Sequence, residues 1–169
     1  MVLPEMTISK PERSSSKISA GILAYRERAD GLEVLLVHPG GPYWRNKDAG
    51  AWSIPKGEID VEEDPERAAR REFAEELGPH ASVGALRPLG EIRQRGGKCV
   101  IAFLGKSDFD PTNLISNSFE IEWPPRCGRR KAFPEVDRAE WFGVDAAKEK
   151  ILPAQAAFLE RLLLTSRGS

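Results

Sequence analysis

The chain has 169 residues, enough for one domain with a sizeable core. A composition that is 40% hydrophobic and 30% charged is ordinary for a globular protein and excludes a disordered or fibrous chain. The formal net charge of −1 excludes bulk attraction to nucleic acid or membrane, no apolar stretch approaches spanning length, and two cysteines (Cys99 and Cys127) form neither a disulfide framework nor a Cys/His metal cluster.

Residues 1–16 (MVLPEMTISKPERSSS) are rich in Ser, Pro and charge and read as a loose arm ahead of a domain over 17–169. The N-terminus has no long apolar run, so no signal peptide is expected and a cytoplasmic location is the default. The runs KISAGILAY (17–25) and GLEVLLVHP (31–39) read as strands, with RERADG as the polar turn between them. His38 ends an apolar strand and reads as structural rather than catalytic. The segment PGGPYWRNKDAGAW (39–52) is too long for a tight turn. There Tyr43 and Trp44 can stack on a base or can cover one end of the core, and Arg45 and Lys47 can meet phosphates. Ala51 to Ile54 reads as a short strand leading into Pro55-Lys56-Gly57. Lys56 is placed to hold a phosphate.

The stretch 57–78, GEIDVEEDPERAARREFAEELG, carries the strongest signal. Asp64 can cap a helix that starts at Pro65, where a missing N–H costs nothing, and Gly78-Pro79 stops it after Leu77. On that helix Glu72, Glu75 and Glu76 fall at i, i+3 and i+4 and share one face. Three such carboxylates repel one another unless a cation sits between them, and Mg²⁺ is held by a few oxygens together with water and substrate phosphates. A solvated acidic face is the alternative. Arg71 adjoins the cluster and can orient or neutralise one carboxylate.

Farther along, Leu89–Arg95 and Lys98–Leu104 flank Gly96-Gly97, a hairpin signal, and the apolar run CVIAFL places Cys99 in a buried strand. FEIEW (119–123) alternates as a strand does. RCGRRK (126–131), beginning at Arg126, reads either as a phosphate-contacting loop or as a solvated charge run. FPEVDRAEWF (133–142) passes from a loop into a short strand. Pro153 to Thr165 reads as an amphipathic helix with Ala156, Phe158, Leu159, Leu162 and Leu163 on its apolar side. Charge is unevenly shared. Residues 57–79 hold nine acidic and three basic residues, leaving 17 acidic and 22 basic elsewhere, a balance suited to a phosphate-bearing ligand.

The spacing Gly57, five residues, Glu63, seven residues, then Arg71-Glu72-Phe73-Ala74-Glu75-Glu76-Leu77-Gly78 resembles the Nudix box, Gly-x5-Glu-x7-Arg-Glu-U-x-Glu-Glu-x-Gly-U with U a bulky aliphatic. Phe73 and Pro79 depart from the aliphatic positions. LLVHPGGP, AWSIPKGE, EWPP and FPEVDRAEWF are similar to a bacterial branch described as predicted NTP pyrophosphohydrolases. The resemblance implies an α/β fold, a Nudix-type α/β/α sandwich around a mixed β-sheet. It implies Mg²⁺ or Mn²⁺ held by Glu72, Glu75, Glu76 and Glu63, an orienting role for Arg71, and Glu135 as a further ligand or general base, with Glu120, Glu122 and Asp137 as competitors. Lys56, Gly57, Tyr43, Trp44 and Arg126 are the candidate substrate contacts. The implied reaction is hydrolysis of a phosphoanhydride in a nucleoside diphosphate linked to a group X. Nucleotide polyphosphates are favoured because Pro-Lys-Gly before the box is also seen in dinucleoside tetraphosphatases. No membrane or nucleic-acid partner is expected. A homodimer is common in the family, but no stripe identifies an interface. A silent nucleotide-binding module is the alternative, disfavoured because every box glutamate is present.

Overall fold

Strand β1 (Ile18–Arg28) is the axis of the sheet in a computed structural model that describes residues 17–167, with side chains to Thr165. The arm expected over 1–16 lies outside the described residues. Ala20 to Ala24 are buried without alternation, because the sheet is covered on both faces. Strand β2 (Gly31–Pro39) pairs antiparallel with β1 from Ala24↔Leu35 to Arg28↔Gly31. The turn is therefore shorter than RERADG. Arg26 and Glu33 are ladder partners whose side chains bond at 2.8 Å, and this cross-strand pair extends the strand through polar sequence.

Strand β3 (Lys56–Glu58) pairs antiparallel with the start of β1, through Ser19↔Glu58 and Gly21↔Lys56. Residues 51–54, expected as the strand, make only the bridges Val37↔Ser53 and Trp52↔Ile151. Gly21 permits the close approach of β3, since a Cβ there would lie 2.5 Å from the Pro55 carbonyl oxygen. Strands β4 (Arg87–Arg93) and β5 (Cys99–Lys106) form the expected antiparallel hairpin, and β5 lies parallel to β1. Strands β6 (Ser118–Glu122) and β7 (Arg130–Pro134) make a separate two-stranded hairpin, so Arg130 and Lys131 are in a strand rather than a loop. Strand β8 (Val136–Gly143) pairs with β2, giving the mixed order β4-β5-β1-β2-β8.

Helix α1 (Pro65–Leu77) covers one face, where Ala69, Phe73 and Leu77 pack with Ile22, Leu35, Val37 and Phe103. Helices α2 (Val144–Lys150) and α3 (Ala156–Arg167) cover the other, where Trp52, Ile151, Phe158 and Leu162 meet Leu23, Leu36 and Phe142. The architecture is thus the α/β/α sandwich around a mixed sheet. Phe73, the aromatic departure from the box pattern, is buried in this core, and truncation to Ala should cost roughly 3–5 kcal/mol. Cys99 is only half-buried, against the core position expected for it. It is the first residue of β5 and its thiol turns toward the Glu91 carboxylate. Among the described residues no helix is long and apolar enough to cross a membrane.

Candidate active site

The acidic helix forms as its sequence dictates. The Asp64 side chain accepts from the Arg67 N–H at 3.1 Å, Pro65 takes the first helical position, and the Gly78 N–H closes the last turn on Ala74 O. Burying Ala69, Phe73 and Leu77 leaves Glu72, Glu75 and Glu76 at the edge of the buried stripe, themselves partly buried and beside β3. Contact is closest at Gly57, where a Cβ would collide with the Glu72 carboxylate.

Arg71 holds this cluster together. Its Nε and Nη2 donate to the two oxygens of Glu63, both at 2.9 Å. Its Nη1 donates to Glu72 at 2.8 Å and Glu75 at 3.2 Å, and Nη2 also reaches the Glu58 carbonyl at 3.1 Å. The Asp60 N–H donates to Glu63 as well. These bonds, the Arg71 pair first, hold the Glu63 carboxyl down at about 2. No Glu63 oxygen is left without a donor. Glu63 thereby anchors and orients Arg71.

Glu76 has the opposite environment. Burial, with Glu72 and Glu135 as like charges nearby, pushes its carboxyl up to about 8 against the pull of Lys56. Burial also raises Glu72, with Glu75 and Glu135 adding to it and Arg71 opposing. Lys56 is lowered by its own burial and partly restored by Glu76 and Glu72. Glu76, Lys56 and Glu135 line one cleft of about 210 Å³, with Trp44, Val37 and Leu152 among its other walls. The carboxylates of Glu72, Glu76 and Glu135 fit a hard divalent cation, which would offset the burial and mutual repulsion that raise Glu72 and Glu76. Among the described residues no three carboxylate, His or Cys side chains converge into a complete ligand set, and Mg²⁺ in such sites takes water and substrate oxygens for the balance.

The other expected residues divide. Trp44 lines the cleft, whereas Tyr43 is 60% exposed and stands edge-on to Trp123, with ring centroids 5.4 Å apart. Arg126 lies in the turn of the β6–β7 hairpin and is not among the cleft-lining residues. Of the competitors to Glu135, Glu120 pairs with Arg130 at 3.4 Å, Glu122 accepts from the Gly128 N–H, and Asp137 bonds His38 Nδ1 at 2.8 Å. His38 is fully buried, and its Nε2 bonds the Lys47 carbonyl at 2.6 Å, tying β8 to the loop that carries Trp44. The sequence reading missed this tie, and also the apolar cleft walls Val37, Pro39 and Leu152. The one local signal was a buried-type His between two residues of an apolar strand end.

Fold and site together define a hydrolase that acts on pyrophosphate bonds. The chain belongs to the Nudix family: the NUDIX domain matches residues 16–162. It is 41% identical over 165 residues to an RNA pyrophosphohydrolase of Rhodospirillum rubrum, across 89% of this chain and 92% of that one. It is 28% identical over 156 residues to diphosphoinositol polyphosphate phosphohydrolase 2 of Rattus norvegicus, across 90% and 74%. The fold is similar to that of a Nudix hydrolase of M. smegmatis, with a TM-score of 0.58 and 24% identity over 90% of this chain and 87% of that one. It is also similar to C. elegans Ap4A hydrolase, with a TM-score of 0.57 and 21% identity over 89% and 99%. Members of the family generally use divalent metal ions.

Proposed function

We propose that this chain hydrolyses a phosphoanhydride of a nucleotide polyphosphate, a dinucleoside polyphosphate or an NTP, with Mg²⁺ or Mn²⁺ held by Glu72, Glu75 and Glu76. The observation that carries the reading is the meeting of Glu76, Lys56, Glu135 and Trp44 in one cleft. It puts acidic, basic and aromatic groups within reach of one diphosphate and its base. A bound divalent cation supplies charge neutralisation at the diphosphate oxygens and acidifies water.

The chain's own residues do the rest. Arg71, anchored on Glu63, bonds one oxygen each of Glu72 and Glu75 and leaves the other oxygen of each outside the clamp. Glu135 is exposed at its end of the cleft and outside the Arg71 clamp, and we assign it the proton of the attacking water. The water oxygen bonds to phosphorus as the bridging P–O bond breaks, and Lys56 stabilises the charge left on the departing phosphate. Trp44 offers an aromatic face to the base. The Rhodospirillum rubrum and rat relatives are named for different phosphate compounds.

The test is a turnover screen over NTPs and dinucleoside polyphosphates with product masses, in Mg²⁺ and in Mn²⁺, for the parent chain and Glu76→Gln. The parent should yield a nucleoside monophosphate or diphosphate product, and Glu76→Gln should stay folded and lose nearly all turnover. Full activity in Glu76→Gln, or turnover undiminished by chelation, would overturn the assignment.

A further inference from the structure

At the end of β1 away from the cleft, two charges of opposite sign are each held in place and left apart. Arg26 lies farther along the strand than Gly21, the ladder partner of Lys56, by roughly 16 Å. Its Nε donates to Glu33 at 2.8 Å, and its guanidinium lies over the Trp141 ring, 4.3 Å from the centroid. The side chain is 21% exposed, and neither Nη has a partner among the described residues. Asp108 sits between two buried residues, Ser107 and Phe109. The Ser107 hydroxyl donates to the Ser82 carbonyl at 2.7 Å and accepts from the Phe109 N–H at 3.1 Å. The Phe109 carbonyl accepts from the Trp141 indole N–H at 2.9 Å. The ring that carries Arg26 therefore also fixes the chain beside Asp108. The Asp108 side chain is exposed and bonds no group among the described residues.

Arg26 and Asp108 line both of two adjoining cavities, one of about 360 Å³ and one of about 490 Å³. Neither cavity shares a residue with the hydrolytic cleft. The nearby charges are largely answered. Glu27 pairs with Lys106 at 3.6 Å, and the Asp110 carboxylate accepts from the Thr112 N–H and hydroxyl. Arg28 and Glu140, one of each sign, are exposed walls of the second cavity alone. A simple anion would meet Arg26 but be repelled by Asp108 and Glu27, and a simple cation would meet Asp108 but be repelled by Arg26 and Lys106. A small molecule that carries both charges answers both residues. The planar fork of an arginine matches a carboxylate, and an aspartate accepts from an ammonium.

We propose that Arg26 and Asp108 form a second binding site, for a free α-amino acid. The outer nitrogens of Arg26 take its carboxylate, Asp108 takes its ammonium, and Val83 supplies an apolar wall. The site is independent of the hydrolytic reading, and its test reads no turnover. The full chain, nitrogen-labelled, is titrated with L-alanine, L-lactate and L-alaninamide while its amide and indole N–H resonances are followed. Lactate replaces the ammonium by a hydroxyl, and alaninamide replaces the carboxylate by a neutral amide.

Alanine should give saturable shifts at Gly84, Asp108 and the Trp141 indole, and none at Gly57 or Trp44. Lactate and alaninamide should each bind at least about tenfold more weakly, the size of one lost charged hydrogen bond. Arg26→Gln should bind alanine and alaninamide alike, because the partner of the carboxylate is gone. That variant also breaks the Glu33 pair and the Trp141 stack, so Asp108→Asn, which removes no contact within the chain, is the second arm. It should lose at least about tenfold on alanine and bind alanine and lactate alike. The proposal is overturned if alanine gives no saturable shift, if its shifts centre on Gly57 and Trp44, if lactate or alaninamide matches alanine in the parent, or if Asp108→Asn keeps the parental affinity for alanine.

Discussion

Arg71 and Glu63 face each other through two parallel hydrogen bonds of 2.9 Å, although eight residues separate them in the chain. The pair closes the loop before the helix onto the helix itself. It also fixes the guanidinium, whose remaining N–H groups reach Glu72 and Glu75. A fork of this kind is available to arginine and not to lysine.

Arg71→Lys should therefore keep the charge and lose the arrangement. We expect kcat to fall about 100-fold, the size of effect that follows a small misplacement of reacting groups. The pH dependence of stability should change as well. The Glu63 carboxyl is held at about 2, below its ordinary 4.5, so its stabilising contribution is complete above about 4.5 and is lost as pH falls through about 2. In the variant the Glu63 value should return toward 4.5, flattening the stability profile between those limits. Melting curves from pH 2 to 6 report this directly, and an unchanged profile would deny Arg71 its part.

Glu76 carries the opposite sign. Its folded value of about 8 lies above the ordinary 4.5, so the native state holds the extra proton between them. Metal-free stability should fall as pH rises from about 4.5 to about 8, because the carboxyl is progressively forced to ionise in its buried site, beside Glu72 and Glu135. Glu76→Gln should abolish that slope. Mg²⁺ should raise the melting temperature more at pH 8 than at pH 5, since binding needs the carboxylate form. Thermal melts with EDTA and with Mg²⁺, across that range, measure both effects.

What the sequence reveals here follows the range of the forces involved. The helix from Asp64 to Leu77 and its three-glutamate face are legible because capping and i, i+4 geometry act within a few residues. Helix α2 is not: it has seven residues and starts at Gly143 with no side-chain cap. The shift of the strand from 51–54 to Lys56–Glu58 depends on the fit of Pro55 and Lys56 against Gly21, a contact made only in three dimensions. The same holds for the site. Glu76 and Lys56 adjoin or lie within the box, whereas the exposure of Tyr43, the place of Arg126 in a hairpin turn and the bidentate hold on Glu63 depend on how separate segments pack.

Gly57→Ala tests the closest contact in the site. An added Cβ would collide with the Glu72 carboxylate, so β3 or the head of Glu72 must move. Glu72 is also held by Arg71, and displacing it pulls on the clamp. The variant should fold, because Gly57 is only half-buried and lies in a three-residue strand. Its kcat should fall about 100-fold, with the metal concentration for half-maximal rate rising. Steady-state kinetics at several Mg²⁺ concentrations separate the two effects, and parental values for both would show that the site yields without cost.

His38→Ala tests whether the tie between β8 and the 40–50 loop shapes the cleft. The ring is fully buried, bonded at 2.8 Å to Asp137 and at 2.6 Å to the Lys47 carbonyl, and stands edge-on to Trp52 with centroids 5.2 Å apart. Truncation removes that packing and leaves two oxygens without their partner, a loss of roughly 3 kcal/mol in stability. The functional consequence should be unequal. The loop brings Trp44 to the cleft wall, whereas Glu72, Glu75 and Glu76 sit on α1 and do not depend on it. KM should therefore rise several-fold while kcat changes little. Urea unfolding gives the first quantity and initial rates at saturating and subsaturating substrate give the second. A fall confined to kcat would instead place the influence of His38 on Glu135, two residues before Asp137, and not on the Trp44 loop.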